Sequence, residues 1–371
     1  MKTASLFAGI GGFDLAAARI GAEVVLQAEI DPNAQAVLRA RFPGVKLVPD
    51  ARHVDLAGID LVLAGFPCQG LSAAAATRKA GGLIDPESMS AVVWPVLDRV
   101  FAARPNFLLL ENADSLRTAR YAADLRALLE ALVRNGYYPH VIRLNAGCYG
   151  SVMRRARTFI LARRQAWPAP IVTPSVSWTC DVPLVGVNNQ QGGATWCSQP
   201  SVTKKSGVYT LMVTPTEVRT LTPEAIEMLF GFSPGWTSAA GKKTARYARL
   251  GNSVSVDAAT AALGLLTGRP GLAEVRTPAY GYQDLYPLTV PAGGGAAGSA
   301  LGRFKRTAEA DVRNPNYNLL ERDFCLPVYV KWMKAHSEDV SDKMWGYLEA
   351  VRSMVPAVRQ WPSRVEVRME Q

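Results

Sequence analysis

Two short stretches in the first third of the chain carry a thiol, a carboxyl and a carboxamide, the groups an addition reaction needs. Cys68 follows Phe66-Pro67 directly after the apolar run 60–65 and precedes Gln69. Glu111 and Asn112 follow a second apolar run, 106–110. A cysteine taken at random is usually a small buried hydrophobe. Both runs read as strands, however, and open α/β sheets place their ligands outside the carboxyl ends of strands. A thiol, an acid and an amide at such an edge suit nucleophilic addition to an electron-poor ring whose nitrogen is protonated or hydrogen-bonded during attack.

A third constellation lies nearer the amino terminus. The apolar run 3–8 ends at Gly9-Ile10-Gly11-Gly12, after which 13–20 reads as a helix. Glycines let a backbone approach a ligand closely, and the helix N-terminus that follows favours negative charge. The dinucleotide pattern Gly-x-Gly-x-x-Gly would need glycine where Asp14 stands, so a nicotinamide site is disfavoured. Glu29, about twenty residues on and at the end of the run 24–30, is placed to take the ribose hydroxyls of an adenosine.

These groups need a scaffold, and the pattern supplies one. Helical stretches at 32–41, 89–103 and 122–134 alternate with the apolar runs, and 158–163 is a last strand, which predicts a mostly parallel doubly wound sheet covered on both faces. Residues 165–215 are rich in Pro, Thr, Ser, Gly, Asn and Gln and read as a small, irregular β-containing unit. Helical patterning returns at 223–230 and 254–266, and 293–299 reads as a linker. Beyond it Met344, Leu348, Val351 and Val355 recur at helical spacing in a charged, mostly helical tail.

With 371 residues, 49% of them hydrophobic and 19% charged, the chain is a packed multi-unit protein and not a disordered one. Five widely spaced cysteines with no CxxC pair, and only three histidines, argue against zinc and against a disulfide framework, so no metal and a reducing, cytoplasmic setting are expected. No run of about eighteen apolar residues predicts a membrane span. The formal charge of +10 is concentrated: 13 basic against 5 acidic residues give +8 between 151 and 269, while each flank carries +1. Such a segment either keeps the surface soluble or meets a polyanion.

In order along residues 3–267, these features resemble the cytosine-C5 DNA methyltransferase family. Phe7-Ala8-Gly9-Ile10-Gly11-Gly12-Phe13 is similar to its S-adenosylmethionine motif, Glu29 to its ribose-binding acid and Asp50 to the acid that meets the adenine amino group. Pro67-Cys68-Gln69 is similar to the catalytic motif, Glu111-Asn112 to the base-holding motif and Arg154-Arg155-Ala156-Arg157 to the arginine motif. Residues 219–232 look like the motif that supports target recognition, and Leu250-Gly251-Asn252-Ser253-Val254 like the segment that completes the cofactor pocket. Departures are Ala113 for the usual valine, Val152-Met153 for Pro-Gln, Ala156 for an acid, and Glu87-Ser88 for Arg-Gly after the catalytic loop.

The resemblance implies a Rossmann-like catalytic domain at 1–164 plus 250–270, a target-recognition domain at 165–249 and an extension of unassigned role at 271–371. It implies that Cys68 adds to C6 of a cytosine flipped out of duplex DNA, with its pKa lowered by Arg155 and Arg157, while Glu111 contacts N3 and the exocyclic amine. Asn112 would hold the loop that bears Cys68. Ile30, Pro67, Asn252 and Ser253 would join the glycine turn around S-adenosylmethionine. Gln69, Ser72, Arg163, Arg164, Lys204, Lys205, Arg219, Lys242, Lys243, Arg246 and Arg249 would meet DNA, on a short target of two to four base pairs. A monomer and a role in restriction–modification are expected. The competing readings are RNA cytosine methylation on the same motifs and a non-catalytic DNA-binding or regulatory homologue.

Overall fold

A computed structural model describes residues 1–68, 81–151, 155–171, 218–276, 280 and 282–291, and, as backbone strands, 173–178, 184–187, 194–196, 210–213 and 365–370. The chain opens with β1 (Lys2–Leu6), α1 (Gly12–Arg19), β2 (Glu23–Ala28), α2 (Pro32–Arg41), β3 (Lys46–Val48) and β4 (Leu61–Gly65). It continues with α3 (Val93–Ala103), β5 (Phe107–Ala113), α4 (Ala122–Arg134), β6 (Tyr138–Asn145) and β7 (Ala156–Arg163). The seven strands lie in the order β3-β2-β1-β4-β5-β7-β6, all parallel except β7, which runs antiparallel to both neighbours. Strand order reverses between β1 and β4, so the crevice outside their carboxyl ends is the place for a ligand. Both the glycine turn after β1 and the Phe66–Cys68 segment after β4 are there.

Alternation along the strands divides the core into two layers, because successive side chains point to opposite faces. Leu61, Leu63 and Leu109 face a layer formed with α1 and with α7 (Val256–Leu266). Val62, Ala64, Leu108 and Leu110 face Val93, Val96, Leu97 and Val100 of α3 and Leu128 and Leu132 of α4. Local signals fix the helix ends. Asp31 caps α2 by accepting from the Asn33 and Ala34 amides, both at 3.0 Å, with Pro32 in the first turn. Thr222 caps α5 (Pro223–Phe230), which Gly231 ends at φ 86°.

Three features differ from the sequence reading. Strands β3 and β6 went unread, since one is three residues long and the other carries His140, Arg143 and Asn145 among its apolar positions. The antiparallel direction of β7 is not encoded in an apolar run. The packing also departs from the expected division at 165–249: Ile226, Leu229, Phe230, Phe232, Trp236 and Ala240 belong to the same core as α1 and α7. Trp236 Nε1 donates to the Ile10 carbonyl at 2.8 Å, and Arg41 Nε donates to the Trp236 carbonyl at 2.9 Å. Residues from α5 through α6 (Lys243–Asn252) are therefore part of the catalytic body.

The β-containing unit is a five-stranded antiparallel sheet. Its strands β9 (Leu184–Val187), β10 (Ala194–Trp196), β11 (Thr210–Val213), β12 (Val218–Leu221) and β13 (Thr289–Pro291) lie in the order β10-β9-β11-β12-β13. Separately, β8 (Thr173–Trp178) pairs with β14 (Val365–Glu370). Two strands thus come from the region expected to be a separate extension. The 293–299 linker and the Met344–Val355 pattern lie outside the described residues.

Candidate active site

The strand register brings the reactive groups together. Gly65 of β4 pairs with Glu111 of β5, and a Cβ built on Gly65 would lie 3.5 Å from Glu111 Oε2, so glycine leaves the carboxylate its space. Cys68 lies three residues beyond. Ala113 pairs with Arg157, which makes Glu111 and Arg157 diagonal neighbours on one face of the β5–β7 ladder. Arg157 Nε and Glu111 Oε1 are 3.2 Å apart, both side chains largely buried. Asn112 Nδ2 donates to the Phe66 carbonyl at 3.1 Å, tying β5 to the chain two residues before Cys68.

Arg155 has a different role from Arg157. Its Nη2 donates to the carbonyls of Gly251 at 3.0 Å and Ser253 at 2.7 Å, and its guanidinium lies 4.8 Å over the Phe230 ring. Only 2% of the residue is exposed. The expected lowering of the Cys68 pKa is not what this arrangement produces. Burial pushes the thiol up, the Glu111 carboxylate pushes it further, and Arg157 and Arg155 only partly offset them. Burial likewise raises the Glu111 carboxyl against the pull of Arg157 and Arg155. Cys68 at rest is a thiol.

Next to this cluster the glycine turn adopts left-handed backbone at Phe7 (φ 54°), Gly9 (φ 58°) and Gly11 (φ 87°). A side chain on Gly11 would strike the Phe42 ring at 2.5 Å, and one on Gly12 would meet Val254 Cγ1 at 2.9 Å and Ser253 Oγ at 3.1 Å. The positive φ at Phe7 is a strained position for a bulky residue, and such strain concentrates at functional sites. Glu29 accepts from the Gly9 amide at 2.7 Å and the Asp31 amide at 2.8 Å. Beside it Ile30 is 71% exposed, an uncovered apolar surface at the same edge. The Ile10 side chain, by contrast, is buried in the core, so only its main chain belongs to the turn. Asp50 caps the turn Ala51–His53 and is paired with Arg52 at 2.7 Å, which holds its carboxyl below the usual range. Ser253 is buried against the turn and Asn252 is exposed.

The family described as C-5 cytosine-specific DNA methylase matches residues 1–179. Type II methyltransferase M2.BsuMI of Bacillus subtilis (strain 168) is 30% identical over 287 residues, 69% of this chain and 72% of that protein. The chain belongs to the C-5 cytosine-specific DNA methylase family. Type II methyltransferase M.Bsp6I of Bacillus sp. (strain RFL6) is 31% identical over 169 residues, 44% of this chain and about half (52%) of the relative. Among solved structures, Entamoeba histolytica methyltransferase EhMeth superposes with a TM-score of 0.54 at 18% identity, covering 72% of this chain and 98% of that one. S. pombe Dnmt2 methyltransferase gives 0.53 at 18%, again over 72% and 98%. At that identity both show the fold, the S-adenosylmethionine methyltransferase-like α/β architecture. At the level of the family the activity is methylation of cytosine C5 in DNA.

Several of the basic residues expected to meet DNA are engaged within the protein or stand away from the Cys68 cluster. Arg163 pairs with Phe107 at the opposite edge of the sheet, six residues along β7 from Arg157 and about 20 Å away at the rise of a strand. Arg164 follows it there. Arg219 donates to Thr289 Oγ1 at 2.5 Å and to the Thr289 carbonyl at 2.9 Å, and its guanidinium lies 4.3 Å over the Tyr286 ring, so it joins β12 to β13. Arg246 is buried between Glu224 at 2.7 Å and Glu227 at 2.9 Å. Arg249 pairs with Asp31. The charges of Arg219, Arg246 and Arg249 are thus met by carboxylates, a hydroxyl and a carbonyl of the protein itself. Lys242 and Lys243 are exposed at the start of α6. Gln69, Ser72, Arg154, Val152-Met153, Lys204 and Lys205 lie outside the described residues.

The sequence reading missed two buried carboxylates. Glu227 accepts from the amides of Gly235 at 2.5 Å, Trp236 at 3.1 Å and Thr237 at 2.8 Å, and so shapes the turn that delivers Trp236 to the Ile10 carbonyl. Asp14 accepts from Ser5 Oγ at 2.9 Å and Gln27 Nε2 at 2.7 Å under the glycine turn. The signal was available: Ser5 and Gln27 are polar at strand positions facing the core. Burial pushes the Asp14 carboxyl up to about 6. A carboxyl raised on folding contributes stability at low pH that is lost as pH rises from about 4 through 6. Asp14→Asn is therefore expected to stabilise the protein by about 2–3 kcal/mol at pH 8 and by little at pH 4. Melting temperatures of both proteins across that range check this; a difference that does not grow with pH contradicts it.

Proposed function

We propose that this methylase acts on a cytosine extruded from duplex DNA, with Cys68 adding to C6 and Glu111 carrying the proton that the ring nitrogen takes. The convergence of Cys68, Glu111 and Arg157 at the switch-point edge, beside the glycine turn and Glu29, carries this reading. Cytosine C5 is too weak a nucleophile until a sulfur at C6 makes it enamine-like. The resting thiol gives its proton to Glu111, whose raised pKa lets the carboxyl hold it and pass it to N3 as the sulfur–C6 bond forms. Arg157 keeps the carboxyl aimed and stabilises it when ionised. Asn112 fixes the main chain behind the nucleophile. Loss of the C5 proton, return of the N3 proton and elimination of Cys68 restore the ring.

S-adenosylmethionine, when bound, supplies the electrophilic methyl group that activated C5 takes. The residues present fit it: left-handed backbone at Phe7, Gly9 and Gly11 lets the chain approach closely, the Glu29 carboxylate suits ribose hydroxyls, and Ile30 offers an apolar face to the adenine. Lys242 and Lys243 would meet phosphates. Among the described residues no helix is long and apolar enough to cross a membrane. The small size of the 165–215 unit extends the proposal to one short fixed site of two to four base pairs, and the relatives named Type II methyltransferases extend it to a modification role. Mapping modified cytosines in the genome of a host expressing the protein tests this. The expected result is 5-methylcytosine at one position of a short motif, with purified protein labelling duplex DNA and not tRNA. Label in tRNA alone would favour the RNA reading, and a motif of six or more specified pairs would contradict the short target.

A further inference from the structure

Residues 66–68 are held by side chains from two separate elements. Asn112 of β5 takes the Phe66 carbonyl at 3.1 Å, and Ser90 Oγ, from the turn Met89–Val92 before α3, donates to the Pro67 carbonyl at 2.7 Å. Peptide groups are planar, so fixing two successive carbonyls fixes the two planes that lead into Cys68 and with them the position of its Cα and the N–Cα axis from which its side chain is carried. The Pro67 carbonyl belongs to the same plane as the Cys68 amide. Ser90 is fully buried, leaving no room for solvent to take its place.

The same turn grips the chain where it returns after Cys68. The Ser90 amide donates to Ser88 Oγ at 3.2 Å, and Ser88 Oγ donates to the Gly81 carbonyl at 2.7 Å. Two residues on, Trp94 Nε1 donates to the Leu83 carbonyl at 2.6 Å, and Asp124 accepts from the amides of Leu83 and Ile84. A Cβ on Gly82 would overlap the Asp124 carboxylate, which is why glycine stands there. A hydrogen-bonded path thus runs from the Pro67 carbonyl through Ser90 and Ser88 to Gly81, across the neck of the segment that begins at Cys68. Ser88 is one of the positions at which the sequence departs from its family's pattern.

We infer that Ser90 is a positioning residue for Cys68, acting through the Pro67 carbonyl, and that Ser88 supports it by tying Gly81 to the same turn. The inference rests on the reading of Cys68 as the nucleophile. Its test is the single-turnover rate at which the full-length protein forms a covalent adduct with duplex DNA containing 5-fluorocytosine, S-adenosylmethionine being present. Ser90→Ala is expected to slow adduct formation about tenfold, because a displaced nucleophile loses rate steeply, while dissociation constants for DNA and S-adenosylmethionine stay within about twofold. Ser88→Ala is expected to slow it about threefold, and the double variant no more than Ser90→Ala alone, since both act along one path. Thr267→Ala, which removes a comparable bond from Thr267 Oγ1 to the Leu263 carbonyl on α7, should leave the rate unchanged. A Ser90→Ala protein that melts earlier but forms adduct at the wild-type rate, or additive effects of the two serines, would overturn the inference and leave the function intact. A wild-type protein that methylates without any adduct would overturn both.

Discussion

Cys68→Ala is expected to lower methyl incorporation into duplex DNA by about 10⁴-fold or more, the scale seen when a covalent nucleophile is removed. Nothing else described can replace it. Cys148, the other cysteine among the described residues, follows the carboxyl end of β6 and is buried in the core at 1% exposure. Cys68 belongs to neither layer of the apolar core, so melting temperature should change by no more than a few degrees. Cofactor affinity should persist, because the glycine turn and Glu29 follow β1 and β2, apart from the segment that carries Cys68. Methyl incorporation measured beside a binding isotherm separates loss of chemistry from loss of fold. Residual activity above about one part in a hundred would mean that the sulfur is not the nucleophile.

Glu111→Gln should move two observables in opposite directions. Methylation is expected to fall about 10²- to 10³-fold, since the amide cannot hand a proton to N3. The thiol itself should become more reactive. In the native site the Glu111 carboxylate is the second-largest reason, after burial, for the raised pKa of Cys68, and with it gone Arg157 and Arg155 are opposed by burial alone. Alkylation of Cys68 by iodoacetamide at pH 7 should therefore be faster in the variant than in the wild type. In the wild type the same alkylation should climb with pH through the alkaline range, as a raised thiol requires. If both methylation and alkylation fall in the variant, Glu111 does not control the protonation of Cys68 and the proposed proton path is wrong.

The chemistry-bearing ends of strands were legible because each is marked locally. A β-prone run followed by Gly9-Ile10-Gly11-Gly12, by Pro67-Cys68 or by Glu111-Asn112 announces both an element and what stands at its end. Helices α2, α4 and α5 were read with their observed limits, for their caps and periodicity lie within a dozen residues. Pairings across long separations were not legible. Nothing near Arg246 says that Glu227, nineteen residues earlier, will take its charge, and nothing near Arg219 points to Thr289. The basic residue type is the same whether its partner is a phosphate or a buried acid, so part of the +8 segment was misassigned. The sign of the Cys68 shift was missed for a related reason: two nearby arginines are visible in the sequence, whereas the depth at which they and the sulfur are buried is not.

Mass spectrometry of the protein trapped on duplex DNA carrying 5-fluorocytosine at its own target site addresses the covalent step itself. The account predicts one protein-bound nucleotide per active site, its cytosine already carrying the methyl group, attached to the peptide that contains Cys68. Full methylation of ordinary DNA with no trapped species, or a nucleotide attached to any other residue, would contradict it.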